Sequence, residues 1–308
     1  MIVVTGASGL LGASVLCHAR DTGRCAAGLC HRQVVHIPDT KMMSVDLTDS
    51  RAMRQMISSL QPRSIIHCAA ATNVDWCEDH PRETRQINVE APAKLAELAG
   101  ELNARLLHVS TDAVFDGARG SYCETDTPAP VNVYAISKLE GERAVLERYP
   151  AAIVARVTLY GWSAQNKPSL AEWMLGELTA GRQLPGFTDV MFSPLLANDL
   201  AQILVEMLDR GLSGLYHVVG SDVISKYDFA RRLAAAFGFD PDRVAQARLA
   251  DSKLRAARPL DTSLNTSKIT AALGRSMPDV ESGLRRFRAL KENGYAQQLK
   301  GALAGARA

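Results

Sequence analysis

The sequence predicts an α/β fold: a doubly wound, mostly parallel sheet with a smaller, discontinuous lobe towards its C-terminus. Three observations predict it. Short, almost continuously apolar runs recur along the first two thirds of the chain. Longer helical patterns separate them, and a glycine-rich turn follows the first run. Strands covered on both faces lose the in–out alternation of half-exposed ones, and their alternation with helices is the mark of parallel crossover units.

The apolar runs are residues 2–5, 25–30, 42–45, 64–69, 105–109, 153–157 and 215–219. Helices are expected over 10–22, 50–60, 83–102, 132–149 and 198–208. Asp49 stands where an N-cap would close the second helix, while Gly23 and Pro62 mark helix ends. After Gly161 the rhythm weakens. A short helix over 169–180 precedes a loop marked by Gly and Pro, and residues 221–308 look helical with little strand. The expected division is therefore a dinucleotide-binding domain of residues 1–165 and 190–220, with a substrate lobe of 166–189 and 221–308.

Composition narrows the class. With 308 residues, 47% of them hydrophobic, the chain can bury a sizeable core. A net charge of +2 and scattered basic residues argue against nucleic acid or a membrane surface as partner. Arg285, Arg286 and Arg288 read as a solvated helix face. The six cysteines show no CxxC spacing and read as reduced, buried thiols, and no metal-ligand pattern emerges from the seven histidines. His67 and His108 fall in strand-like runs and read as core or near-site residues. The first residues read as a strand rather than a leader, no stretch is long enough to span a bilayer, and a cytoplasmic location is expected.

Thr5-Gly6-Ala7-Ser8-Gly9-Leu10-Leu11-Gly12 joins the first strand to the first helix. In that setting one glycine permits the tight turn, one admits a diphosphate, and one lets helix and strand pack closely, so Gly6, Ser8, Gly9, Leu10, Leu11 and Gly12 are expected to cradle a dinucleotide at the helix N-terminus. The spacing is GxxGxxG. An NAD-binding site places a carboxylate after the second strand. Here His31-Arg32 follows it, and a guanidinium suits a 2′-phosphate. NADP(H) is the expected cofactor, with NAD(H) the alternative. Asp46 and Leu47 after the third strand would meet the adenine, and Ala69, Ala70 and Ala71 after the fourth would let the backbone pass beneath the cofactor.

Tyr134-Ala135-Ile136-Ser137-Lys138 puts Tyr and Lys one helical turn apart on a shared face. Reducing a ketone takes a hydride and a proton. A phenol is a weak participant at neutral pH unless a neighbouring cation favours its ionised form. Thr111, at the end of the fifth strand, offers a hydroxyl to a substrate carbonyl beside the Tyr.

These residues, together with Asn73-Val74-Asp75, Ile87-Asn88-Val89, Ser110 to Gly117, Gly141-Glu142 and Arg258-Pro259, make the chain resemble the extended short-chain dehydrogenase/reductases, and more narrowly the dTDP-4-dehydrorhamnose reductase family. The resemblance covers nearly the whole chain and is strongest through residue 161. It implies Tyr134 as proton donor, Lys138 on the nicotinamide ribose lowering the Tyr pKa, and Thr111 and Asp112 on the sugar. Asn73, Val114, Phe115, Trp162 and Arg258 complete the substrate contacts it implies. The implied reaction is NADPH-dependent reduction of dTDP-4-dehydro-L-rhamnose to dTDP-L-rhamnose, in dTDP-rhamnose biosynthesis. Two departures touch the sugar: Leu159 stands where the family places a sugar-stacking Trp, with Trp162 three residues on, and residues 186–194 differ from the family pattern. A non-enzymatic, NADP-binding partner protein like the regulatory subunit of methionine adenosyltransferase, and a reductase or epimerase of another nucleotide sugar, stay open, as does a homodimer.

Overall fold

The computed structural model describes residues 1–304. Along the first half run β1 (Ile2–Thr5), α1 (Leu10–Asp21), β2 (Ala26–Cys30), β3 (Lys41–Ser44), α2 (Ser50–Leu60), β4 (Ser64–His67), α3 (Val74–Asp79), α4 (Pro81–Arg85), a π-helical turn (Gln86–Glu90), α5 (Ala91–Glu101), β5 (Arg105–Thr111), α6 (Val133–Arg148) and β6 (Ile153–Val157). There follow β7 (Leu159–Tyr160), α7 (Leu170–Thr179), β8 (Leu184–Phe187), β9 (Met191–Phe192), β10 (Leu195–Leu196), α8 (Ala197–Asp209), β11 (Gly214–His217), β12 (Ile224–Ser225), α9 (Lys226–Ala236), β13 (Val244–Ala247), α10 (Ser267–Leu273), α11 (Val280–Glu292) and α12 (Tyr295–Ala304).

Seven strands form one parallel sheet in the order β11-β6-β5-β4-β1-β2-β3. The doubly wound α/β expectation is therefore met. On one face α1 and α8 pack together, burying Leu11, Val15, Leu16, Leu200 and Leu204 against Val4 and Ile66. On the other, α2, α5 and α6 cover Val3, Leu29 and Ile65 with Met53, Ile57, Leu95 and Val145. The chain winds outward in opposite directions from β1 and β4, and their carboxyl ends open the crevice where such sheets bind ligands.

Among the described residues three two-stranded pairs lie outside the sheet: β7 with β10, β9 with β12, and β8 with β13. The last corrects the sequence reading, which placed a Gly/Pro-marked loop at 184–187. Pro185 and Gly186 are poor strand formers, but partnership with Val244–Ala247 overrides propensity. The helix expected over 83–102 is also interrupted, by the π-helical turn at Gln86–Glu90. That turn carries buried Asn88, whose amide grips both the N–H and the C=O of Ala71 (2.8 and 3.1 Å) and donates to the Ser137 hydroxyl (2.9 Å). One side chain thus ties the end of the fourth strand to α6. The cysteine expectation is corrected in part: all six are free, but Cys25 is exposed and only Cys17, Cys30 and Cys77 are buried.

Candidate active site

A cleft of about 690 Å³ runs across the carboxyl ends of the strands. At its centre lies the glycine turn. Gly6 has φ +63°, and a Cβ there would sit 2.6 Å from the Ala69 amide nitrogen. A Cβ on Gly12 would lie 2.3 Å from the Gly6 carbonyl oxygen, so both positions exclude a side chain. Gly9 is the N-cap of α1 and brings no side-chain acceptor to the first turn. The orphan N–H groups there are left for a ligand, and the dipole favours an anion. These features fit a dinucleotide diphosphate. Gly6, Ser8, Gly9, Leu10, Leu11, Gly12, Asp46, Leu47, Ala69, Ala70 and Ala71 all line the cleft, as do Leu29, Cys30 and His31 at the adenine end. Arg32 is exposed and stands outside the lining, close enough to help hold the Asp46 carboxyl below its ordinary range, an effect due first to hydrogen bonds from Thr48.

Thr111, Asp112, Tyr134 and Lys138 meet at the other end. Asn132 caps α6 by accepting the Ala135 N–H (2.8 Å), which sets Tyr134 in the first turn with Lys138 one turn on. Lys138 is only 2% exposed, and its ammonium donates to the Val109 carbonyl (2.7 Å). Burial pulls its pKa down to about 8, against the pull of Glu142 and Cys68. Burial pushes the Tyr134 phenol up to about 12, opposed by a hydrogen bond with Thr111 and reinforced by Asp112 and Cys77. In this structure burial, not the Lys138 cation, therefore governs the phenol, which is held protonated. Beneath them His67 and His108 stack at 5.2 Å between ring centroids, and burial keeps both neutral.

Asp112 is the hub of a second cluster. Its carboxylate accepts from the Thr262 hydroxyl (2.7 Å) and the Thr111 hydroxyl (3.1 Å). Burial raises its pKa, while hydrogen bonds with Thr158, Thr262 and Thr111 and the charge of Lys226 oppose the rise. Lys226, at the start of α9, was invisible to sequence reasoning: no spacing links it to residue 112, and only the fold brings it there.

Several substrate residues implied by the resemblance do not line this cleft. Trp162 is 7% exposed, stacks on Phe287 at 4.2 Å and donates its indole N–H to the Phe287 carbonyl (2.9 Å). It is a core residue and does not replace the missing sugar-stacking Trp, whereas Leu159 does line the cleft. Val114 and Phe115 are fully buried, with Phe115 stacked on Tyr122 at 4.1 Å. The VFDG stretch thus anchors the loop: Asp116 accepts the Tyr122 hydroxyl (2.6 Å). Asn73 caps α3, accepting the Trp76 N–H (3.2 Å), and Arg258 pairs with Asp75 (3.3 Å). Sequence reasoning also missed Ser163, Gln165, Lys167, Pro168 and Ser169, which close one side of the cleft. Among the described residues no helix is long and apolar enough to cross a membrane.

Comparison with known proteins gives a consistent picture. The family described as the RmlD substrate binding domain matches residues 1–292. A "probable low-salt glycan biosynthesis reductase" of Haloferax volcanii is 34% identical over 290 residues, 93% of this chain and 96% of that protein. Methionine adenosyltransferase 2 subunit beta of Bos taurus is 33% identical over 286 residues, 90% of this chain and 84% of that one. The crystal structure of dTDP-4-dehydrorhamnose reductase from Bacillus anthracis in complex with NADP superposes with a TM-score of 0.82 at 26% identity, covering 94% of this chain and 98% of that one. The glycine turn, the Tyr–Lys pair and these likenesses together place the chain in the RmlD substrate-binding-domain family, among the dTDP-4-dehydrorhamnose reductase-like NAD(P)-dependent oxidoreductases.

Proposed function

We propose that this protein reduces the C4 ketone of a nucleotide-activated deoxysugar with NADPH, with dTDP-4-dehydro-L-rhamnose as the substrate and dTDP-L-rhamnose as the product. The observation that carries the reading is one continuous cleft with a diphosphate cradle at its centre and Thr111, Tyr134 and Lys138 at its end. A bound nicotinamide supplies the hydride. Tyr134, protonated across the physiological range, gives its phenolic proton to the developing alkoxide. The Thr111 hydroxyl lines the same end of the cleft as the phenol, and the Lys138 ammonium offers donors to the nicotinamide ribose. Asp112, with its hydroxyl partners, presents acceptor atoms to the sugar. Arg32 beside Asp46 favours NADPH over NADH, because a guanidinium suits a 2′-phosphate.

NADPH consumption across a panel of nucleotide 4-ketosugars tests the substrate. Tyr134→Phe is expected to lower kcat by about 10²–10⁴-fold while NADPH still binds. Full turnover in that variant would overturn the role of Tyr134.

A second reading is favoured by the likeness to methionine adenosyltransferase 2 subunit beta. There the chain binds NADP as part of a protein complex without turning over a sugar. Recovery of a stable heteromeric complex, with no NADPH consumption on any ketosugar, supports that reading over the first.

A further inference from the structure

Residues 163–169 span the mouth of the cofactor cleft as a segment fixed at both ends. The Glu172 carboxylate accepts the Ser163 N–H (3.1 Å) and the Ser169 N–H (2.9 Å), and the Ser169 hydroxyl donates to the Gly161 carbonyl (2.6 Å). Between these anchors, one side-chain bond reaches across the cleft: the Gln165 amide donates to the hydroxyl of Ser8, inside the glycine turn (3.3 Å). The middle of the segment therefore lies against the same turn whose free N–H groups suit a diphosphate. Lys167 is two residues further on, exposed and lining the cleft. Among the described residues its ammonium has no carboxylate within ion-pair distance. The one acid on the segment's flank, Glu172, is committed to the two anchoring N–H groups and to Lys300 (3.3 Å). Lys167 thus brings an ammonium with no carboxylate partner among the described residues to the same cleft as the uncapped N-terminus of α1, an end that favours an anion.

We propose that residues 163–169 form a strap over the cofactor diphosphate, with Lys167 supplying the charge that the glycine turn lacks and Gln165 aligning the strap on Ser8. The glycine turn itself offers only neutral N–H donors, so the strap would add a formal positive charge at the diphosphate. Because the diphosphate is common to both nicotinamide dinucleotides, Lys167 acts on NADPH and NADH alike. This sets it apart from Arg32, whose position suits the 2′-phosphate. The inference rests on cofactor binding and not on the identity of the sugar.

Fluorescence titration of the full chain with NADPH and with NADH tests it. For Lys167→Met the dissociation constant is expected to rise about tenfold for both cofactors, as for the loss of one charge-assisted contact at an exposed site. Its dependence on salt should also flatten, while Lys167→Arg keeps most of the affinity. Since Lys167 makes no ion pair or side-chain hydrogen bond among the described residues, the thermal midpoint of the cofactor-free variant should not move, so a binding loss cannot be ascribed to misfolding. Unchanged affinity for both cofactors overturns the proposal. So does a loss confined to NADPH, which would assign Lys167 to the 2′-phosphate, and so does an arginine variant as weak as the methionine one. Each outcome is read without a sugar substrate, so the proposed reaction can fail independently.

Discussion

Tyr134 and Lys138 are both displaced from their ordinary titration ranges by burial, and in opposite senses. The phenol rises to about 12 and so keeps its proton, which suits an acid delivering a proton in a reduction. The ammonium falls to about 8 and is charged below that pH, neutral above it. On the role proposed for Lys138, the cation at the cofactor ribose is therefore lost as pH climbs through 8. We expect kcat/KM and NADPH affinity to decline above about pH 8, with that limb absent from the residual binding of Lys138→Met. A wild-type binding profile flat to pH 10 would count against Lys138 as the ribose contact. Lys226 shows the other face of residue-scale chemistry. It is a cation drawn from a distant helix whose charge opposes the burial that raises the Asp112 pKa, and nothing in the local sequence announces it.

Helix α6 carries Tyr134 and Lys138, and its start is fixed by one side chain used twice. The Asn132 oxygen caps the Ala135 N–H, and its amide donates to the Ala257 carbonyl (2.9 Å) on the segment leading to Arg258. Asn132→Ala is expected to cost about 1 kcal/mol, measured as a shift of the denaturant midpoint, and to lower kcat because Tyr134 lies in the loosened first turn. Asn132→Asp keeps the acceptor and should recover the stability but not the tie to Ala257. Equal kcat in all three proteins would disconnect the cap from catalysis.

The sheet strands and α1, α2 and α6 were legible in the sequence because continuous apolar runs and capping residues are local signals. The pair β8–β13 was not, since Pro185 and Gly186 disguise a strand that exists only through its partner. The glycine turn and the Tyr–Lys pair were legible for the same local reason. The placement of Trp162 was not: an aromatic side chain beside the cleft looks alike in sequence whether it faces a sugar or Phe287.

At the scale of the whole molecule, the chain passes repeatedly between the main sheet and the smaller strand pairs. After β6 it forms β7, α7 and β8, returns through α8 to β11, and leaves again to β12 and α9. Because α8 packs on α1 and β11 closes the sheet beside β6, the N-terminal 165 residues lack part of their own core when taken alone. Nicking at the exposed turns near Gly181 or Gly238 is thus expected to leave a single particle in gel filtration that unfolds in one step. Release of a stable 1–165 fragment would show that the lobes are separable.

The late arrival of β11 also matters during synthesis. Strand β6 is buried along its whole length and pairs with β5 on one side and β11 on the other. On the ribosome, Ile153–Val157 emerges well before Gly214–His217, leaving an apolar edge unprotected for on the order of several seconds at ordinary translation rates. An open edge of this kind invites pairing with a neighbouring nascent chain. Fast overexpression should therefore penalise this fold more than its finished stability suggests, and slower synthesis should improve the soluble yield.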